Sequence, residues 1–133
     1  MDPTLAEIDE EILKSGAVQD AVRKIQRYQN VVQQMKKGVE KDAQANLAFV
    51  IKQELDASDV RTNLYTFNTC FEEDTQRGTD RLIRGVIQDI VELDAANKQK
   101  EGVLRSDIRL EAVNRKLDKL EKAFGDLLAF AKA

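Results

Sequence analysis

The stretch LEAVNRKLDKLEKAFGDLLAFA, residues 110–131, decides the fold. Leu110, Val113, Leu117, Leu120, Phe124, Leu127 and Ala131 follow one another at steps of 3, 4, 3, 4, 3 and 4 residues. A helix turns once in about 3.6 residues, so this alternation holds all of them on one narrow stripe. Arg115, Asp118, Lys119 and Glu121 alternate in sign beside it, as a solvated helix flank does. The pattern predicts a long C-terminal helix with a coiled-coil-like seam, packed either within the chain or onto another copy.

Upstream, the same period recurs. Leu82, Ile83, Val86, Ile87, Ile90, Val91 and Leu93 form a wide apolar face suited to the middle of a bundle. Residues 95–102 (AANKQKEG) carry no large apolar side chain and read as a loop or a solvated helix extension. Val60, Leu64, Phe67 and Phe71 make another helix, entered from the turn Asp56-Ala57-Ser58-Asp59 with Asp56 or Ser58 as its cap. Arg77-Gly78-Thr79 reads as its end, with Thr79 capping the next helix, unless Gly78 is absorbed into one longer helix. Val18, Val22, Ile25, Val32, Met35 and Val39 run on into Ala43, Leu47, Val50, Ile51 and Leu55. No proline or turn cluster intervenes, which predicts one long or kinked helix from 17 to about 55, softened at Gly38. Asp2-Pro3 opens a short helix over about 3–14, bearing Leu5, Ile8 and Ile12 and stopped by Ser15-Gly16.

No stretch alternates strictly, so the fold class is all-α. The expected architecture is a single domain over 1–133, a helical bundle of four or five principal helices with a short N-terminal helix and a long, heptad-patterned C-terminal helix. Its expected core is Val22, Ile25, Val32, Leu47, Ile51, Leu64, Phe67, Phe71, Ile83, Val86, Ile90, Leu117, Leu120 and Phe124.

Composition removes function classes. The 133 residues include no histidine, so serine and cysteine triads lose their usual base and zinc or haem sites a usual ligand. The six glycines stand apart and form no phosphate-binding loop. Glu72-Glu73-Asp74 points in three directions around a helix, and Asp107 and Glu111 have Arg105, Arg109 and Arg115 as ion-pair partners. No catalytic, cofactor-binding or metal residue is assigned, and a non-enzyme is expected. Cys70, the one cysteine, is followed by three acids and reads as a small buried hydrophobe in a reducing compartment. With an acidic start at Met1-Asp2-Pro3-Thr4, an intracellular, cytoplasmic location is expected.

Charge is uneven. Residues 1–16 hold five acids and one base, a balance of −4; residues 17–41 hold six bases and two acids, a balance of +4. These two segments are expected to lie against each other or against a partner. One basic stretch in an acidic chain does not suggest nucleic acid. As a membrane-surface helix it lacks clustered large apolar residues, so a membrane is the lesser alternative. Ala21-Val22-Arg23-Lys24-Ile25-Gln26-Arg27 resembles the start of a calmodulin-binding IQ motif, but Asn30 and Val31 stand where that family continues with Arg-Gly.

Two sets of residues are candidates for protein contact. Leu127, Leu128 and Phe130 make the C-terminal end more apolar than one side of a terminal helix needs, which predicts an interface with a partner or a second copy, unless this end wraps back over the bundle and buries both faces internally. The other set is Asp94, in Val91-Glu92-Leu93-Asp94, and Arg109, in Ile108-Arg109-Leu110, with Arg105 a turn earlier. Through these residues the span Ile83 to Leu120 loosely resembles the last two helices of BAG domains, three-helix bundles that bind the ATPase domain of heat-shock chaperones. That resemblance implies an adaptor or co-chaperone role with Asp94, Arg105 and Arg109 as exposed contacts. Leu117 stands where that family has a glutamine, and Arg81 and Arg84 where it has another acid. The leading expectation is a non-enzymatic interaction or assembly subunit.

Overall fold

The computed structural model describes residues 5–99 and 102–132, with Lys132 by its backbone alone. Ser15 starts the first long helix: its hydroxyl accepts from the Val18 N–H, and α2 (Gly16–Lys41) follows the single-turn α1 (Glu10–Leu13). Asp56 caps α4 (Ala57–Asn68) by accepting from the Asp59 N–H at 3.1 Å, as the turn at 56–59 predicted. Between them lies the short α3 (Ala48–Glu54). Two long helices complete the chain, α5 (Glu73–Asn97) and α6 (Asp107–Lys132).

α2, α4, α5 and α6 form a ring in which each packs against two neighbours: α2 on α4 and α6, α5 on α4 and α6. Consecutive members run antiparallel. Tyr28 of α2 meets Phe124 of α6 while Lys36, further along α2, pairs with Asp118, earlier in α6. Lys116 of α6 bonds Asp89 of α5, whereas Phe71, just before α5, lies against Phe130 near the end of α6. The result is an up-down-up-down bundle whose second leg is broken into α3 and α4. α3 leans on α5 through the top of that leg.

Polar side chains tie the legs together where helices meet. The Tyr28 hydroxyl donates to Asp59 at 2.7 Å and accepts from Asn63 at 2.8 Å, so burial and the neighbouring carboxylate hold its proton far above the ordinary tyrosine range. Lys116 bonds Glu92 as well as Asp89, holding the Glu92 carboxyl below its usual range.

Four boundaries differ from the sequence reading. The helix expected over 17–55 stops at Lys41, because the next residues offer their own acceptors: Asp42 Oδ1 takes the Gln44 N–H and Asn46 Oδ1 the Ala48 N–H, each at 2.9 Å. Such local bonds compete with the helix ladder and leave 42–47 outside it. Arg77-Gly78-Thr79 is no break. The Thr79 hydroxyl lies buried between the Thr75 carbonyl and Asn68, and the chain turns earlier, at residues 69–72. α5 runs on to Asn97, so of residues 95–102 the first three extend the helix, with Ala95 exposed but Asn97 buried, and 98–99 leave it. Of the helix expected over 3–14, residues 1–4 lie outside the described part, and 10–13 alone are α-helical. Ile8 instead forms an antiparallel bridge with Phe71, in which Asp9 N–H donates to Cys70 O at 2.7 Å and Glu72 N–H to Glu7 O at 2.9 Å.

Thirteen of the fourteen expected core residues are buried; Val22 is half-buried at the core's edge because α2 turns its wider face to α4 and α6. Among the described residues the acidic head and basic second segment form no ion pair. Arg23, Arg27 and Lys36 find Asp20, Glu54, and Asp118 with Glu121. The largest correction concerns Leu127, Leu128 and Phe130, expected at an interface. All three are buried inside the chain, because α6 lies between α2 and α5 and its end covers the bridge at Phe71.

Phe130 is 1% exposed, with its ring edge-on to Phe71 at 5.5 Å. Phe130→Ala is therefore expected to lower unfolding free energy by about 3–5 kcal/mol, measured by urea titration, whereas an interface residue would leave it unchanged. Burial also pushes the Cys70 thiol up to about 11. A thiol pKa raised in the folded state gives a stabilisation present below the unfolded thiol's pKa and lost as pH rises through the folded value. Unfolding free energy is thus expected to fall between about pH 9 and 11, and Cys70→Ala to remove the part that sets in near pH 9, leaving the fall due to Tyr28 above about pH 10.

Candidate functional site

Where α2 ends and α6 begins, two non-helical crossings meet, residues 42–47 and the described residues 98–99 and 102–106. Such crossings strand backbone carbonyls, which must find donors if buried. Arg105 supplies them. Its guanidinium donates to Ala43 O at 2.8 Å, Ala45 O at 2.9 Å and Asn97 Oδ1 at 2.8 Å, and the residue is 5% exposed. Asn97 completes the junction: its Oδ1 also accepts from the Leu47 N–H, and its Nδ2 donates to Asn46 Oδ1. Gln44 binds the Arg105 backbone from both sides, accepting from its N–H and donating to its carbonyl at 3.2 Å. Among the described residues no carboxylate bonds the guanidinium; burial lowers the Arg105 pKa and Asp42 offsets this only in part. Its Nε has no hydrogen-bond partner among the described residues.

This buried clamp forms the floor of an open cleft of about 530 Å³. Gly102 turns the chain above it with φ +77°, a region where a side chain would be strained. Ser106 then starts α6 by accepting the Arg109 N–H at 3.2 Å. The walls include Lys98, Val103, Leu104 and Arg109, and an Arg109 N–H donates to the Lys98 carbonyl. Val103 is 57% exposed, Leu104 77% and the neighbouring Ile108 80%. Three large apolar side chains thus stand in solvent within six residues, beside two solvent-facing cations. Among the described residues the lining holds no carboxylate, although the exposed Asp107 adjoins Ile108.

The residues expected to form an exposed contact set are split by this geometry. Arg109 sits on the cleft rim. Arg105 is inside, because the carbonyls of 43 and 45 need its donors more than solvent needs its charge. Asp94 is half-buried in a different groove, of about 400 Å³, between α3 and α5 with Ile51, Lys52, Leu55 and Val91. The expected pairing of Asp107 and Glu111 with the arginines does not form among the described residues, since Arg105 and Arg109 bond backbone carbonyls instead. Val103, Leu104 and Ile108 were missed. The available signal was that they fall between two helical patterns and share neither stripe.

Among the described residues no helix is long and apolar enough to cross a membrane. The chain matches no protein-family model, and neither a curated protein nor a solved structure shows significant similarity to it.

Lysine at 105 would keep the charge without the planar fork that reaches three acceptors. Arg105→Lys is expected to cost about 1.5–3 kcal/mol of stability in urea unfolding. Hydrogen exchange should rise first at 42–47 and 98–106, and uniform loss of protection would refute a local clamp.

Proposed function

We propose that the chain is a non-enzymatic protein-interaction or assembly subunit that docks through the cleft over Arg105. One observation carries this reading: Val103, Leu104 and Ile108 are exposed together beside Lys98 and Arg109, on a segment held rigidly from beneath. Exposed apolar side chains gathered on a polar rim are the usual signature of a protein contact. Elsewhere exposed apolar side chains stand singly, as Phe49 on α3 and Val91 on α5 do, while most of the apolar stripes are used in packing. A co-chaperone-like use of Asp94, Arg105 and Arg109 has weaker support, with Arg105 inward and Asp94 in a separate groove.

Leu104→Glu with Ile108→Glu tests it. Both side chains are exposed, so the helical circular dichroism and melting curve should stay as in the parent. Affinity capture from the native source, with the parent and the variant compared by mass spectrometry, should lose its specific partners in the variant. Unchanged partners with an unchanged fold would refute the cleft as the docking surface.

A further inference from the structure

Every fully buried side chain among the described residues lies at Val18 or beyond. Residues 5–17 contribute none: Ala6, Ile8 and Leu13 rest half-buried against the core, and Leu5 is 76% exposed. The ring of α2, α4, α5 and α6 therefore builds its core without the segment that precedes it. The residues that segment bonds are of the opposite kind, since Cys70, Phe71 and Thr75 are each 3% exposed or less. Three hydrogen bonds fasten it. Glu7 N–H donates to Thr75 Oγ1 at 3.0 Å, Asp9 N–H to Cys70 O at 2.7 Å, and Glu72 N–H to Glu7 O at 2.9 Å. Its root is fixed separately, because Gln19 Nε2 donates to Leu13 O at 2.7 Å and Ser15 caps α2. Local preference works against the bridge, for Leu5, Ile8 and Ile12 have helical spacing while residues 6–9 are held out of a helix. A segment with so few buried contacts opens at a lower free energy than the core it rests on.

We propose that residues 5–12 are a strap that lifts as one unit while the ring stays folded, uncovering Phe71 and the Cys70 thiol. The Ile8–Phe71 bridge then has two positions. Closed, it seals the turn at 69–72, where α4 passes into α5; open, it presents an aromatic ring and the one thiol of the chain, with the bundle intact. α5 starts at the strap and ends at the Arg105 junction, so this device is independent of the docking role given to the cleft.

The test is backbone hydrogen exchange of the full chain by NMR, in native buffer and at low urea. The amides of Glu7, Asp9 and Glu72 should share one opening equilibrium at a lower free energy than those of Ile25 and Leu120. That opening should hardly depend on urea, because lifting a strap exposes little surface. Thr75→Val removes the acceptor of the Glu7 N–H and keeps the shape of the side chain. Exchange at Asp9 and Glu72 should quicken about tenfold in this variant, while Ile25 and Leu120 keep their rates. Cys70 gives a second readout: its labelling by a disulfide reagent should be as insensitive to urea and quicken by the same factor. Exchange of Asp9 and Glu72 through global unfolding alone overturns the proposal. So does equal acceleration of the core amides in Thr75→Val, which would make the strap part of the ring. Thiol labelling that waits for global unfolding overturns it too, since the strap would then cover nothing. If Thr75→Val does not fold, exchange and labelling of the parent still decide.

Discussion

α6 is wedged between α2 and α5, and the rest of the bundle depends on that placement. A helix with one neighbour needs a single apolar stripe; a helix that closes a ring needs two edges. The heptad seam of Leu117, Leu120, Phe124 and Leu127 fills the middle, while Leu128 and Phe130 widen the stripe where α6 reaches Phe71 and the N-terminal bridge. The same closure explains why Tyr28, Lys36 and Lys116 make their bonds to α4, α5 or α6 and not to their own helix. Without α6, the inner faces of α2 and α5 would stand open together.

The helical period was legible throughout because burial writes it directly into the sequence. Leu64, Phe67, Ile83, Val86, Leu117 and Phe124 all lie where their spacing put them. Interruptions were harder to read, and the reason differs from one to the next. At 42–47 the apolar rhythm of Ala43 and Leu47 continues unbroken, while the side chains of Asp42 and Asn46 capture the backbone. At 77–79 a glycine and a threonine looked like a stop, yet Thr79 is satisfied by its own helix and by Asn68. At 5–9 the apolar spacing fits a helix, but pairing with 70–72 is a long-range bond that no local pattern announces. Leu128 and Phe130 were misread as surplus because the seam alone does not state how many neighbours the helix has.

The candidate site was the least legible part. Its chemistry depends on which of several arginines turns inward, and Arg105 and Arg109 are alike as residue types. What separates them is the position of stranded carbonyls at 43 and 45, known only once the two crossings are side by side. Burying a cation against backbone carbonyls is costly in desolvation, and the lowered Arg105 pKa reflects that cost. The gain is geometric: two carbonyls of the 42–47 crossing and the Asn97 side chain of α5 converge on one planar group.

That geometry bears on recognition. A loop that presents Val103 and Leu104 from an unrestrained crossing would lose conformational entropy on every docking event. Here the crossing is pinned at Arg105 from below, turned at Gly102 and capped at Ser106, so much of that ordering is already done on folding. The lateral faces of a four-helix ring are occupied by its own packing and by charged flanks. The two ends, where backbone leaves the helices, are where apolar side chains can stand free without opening the core.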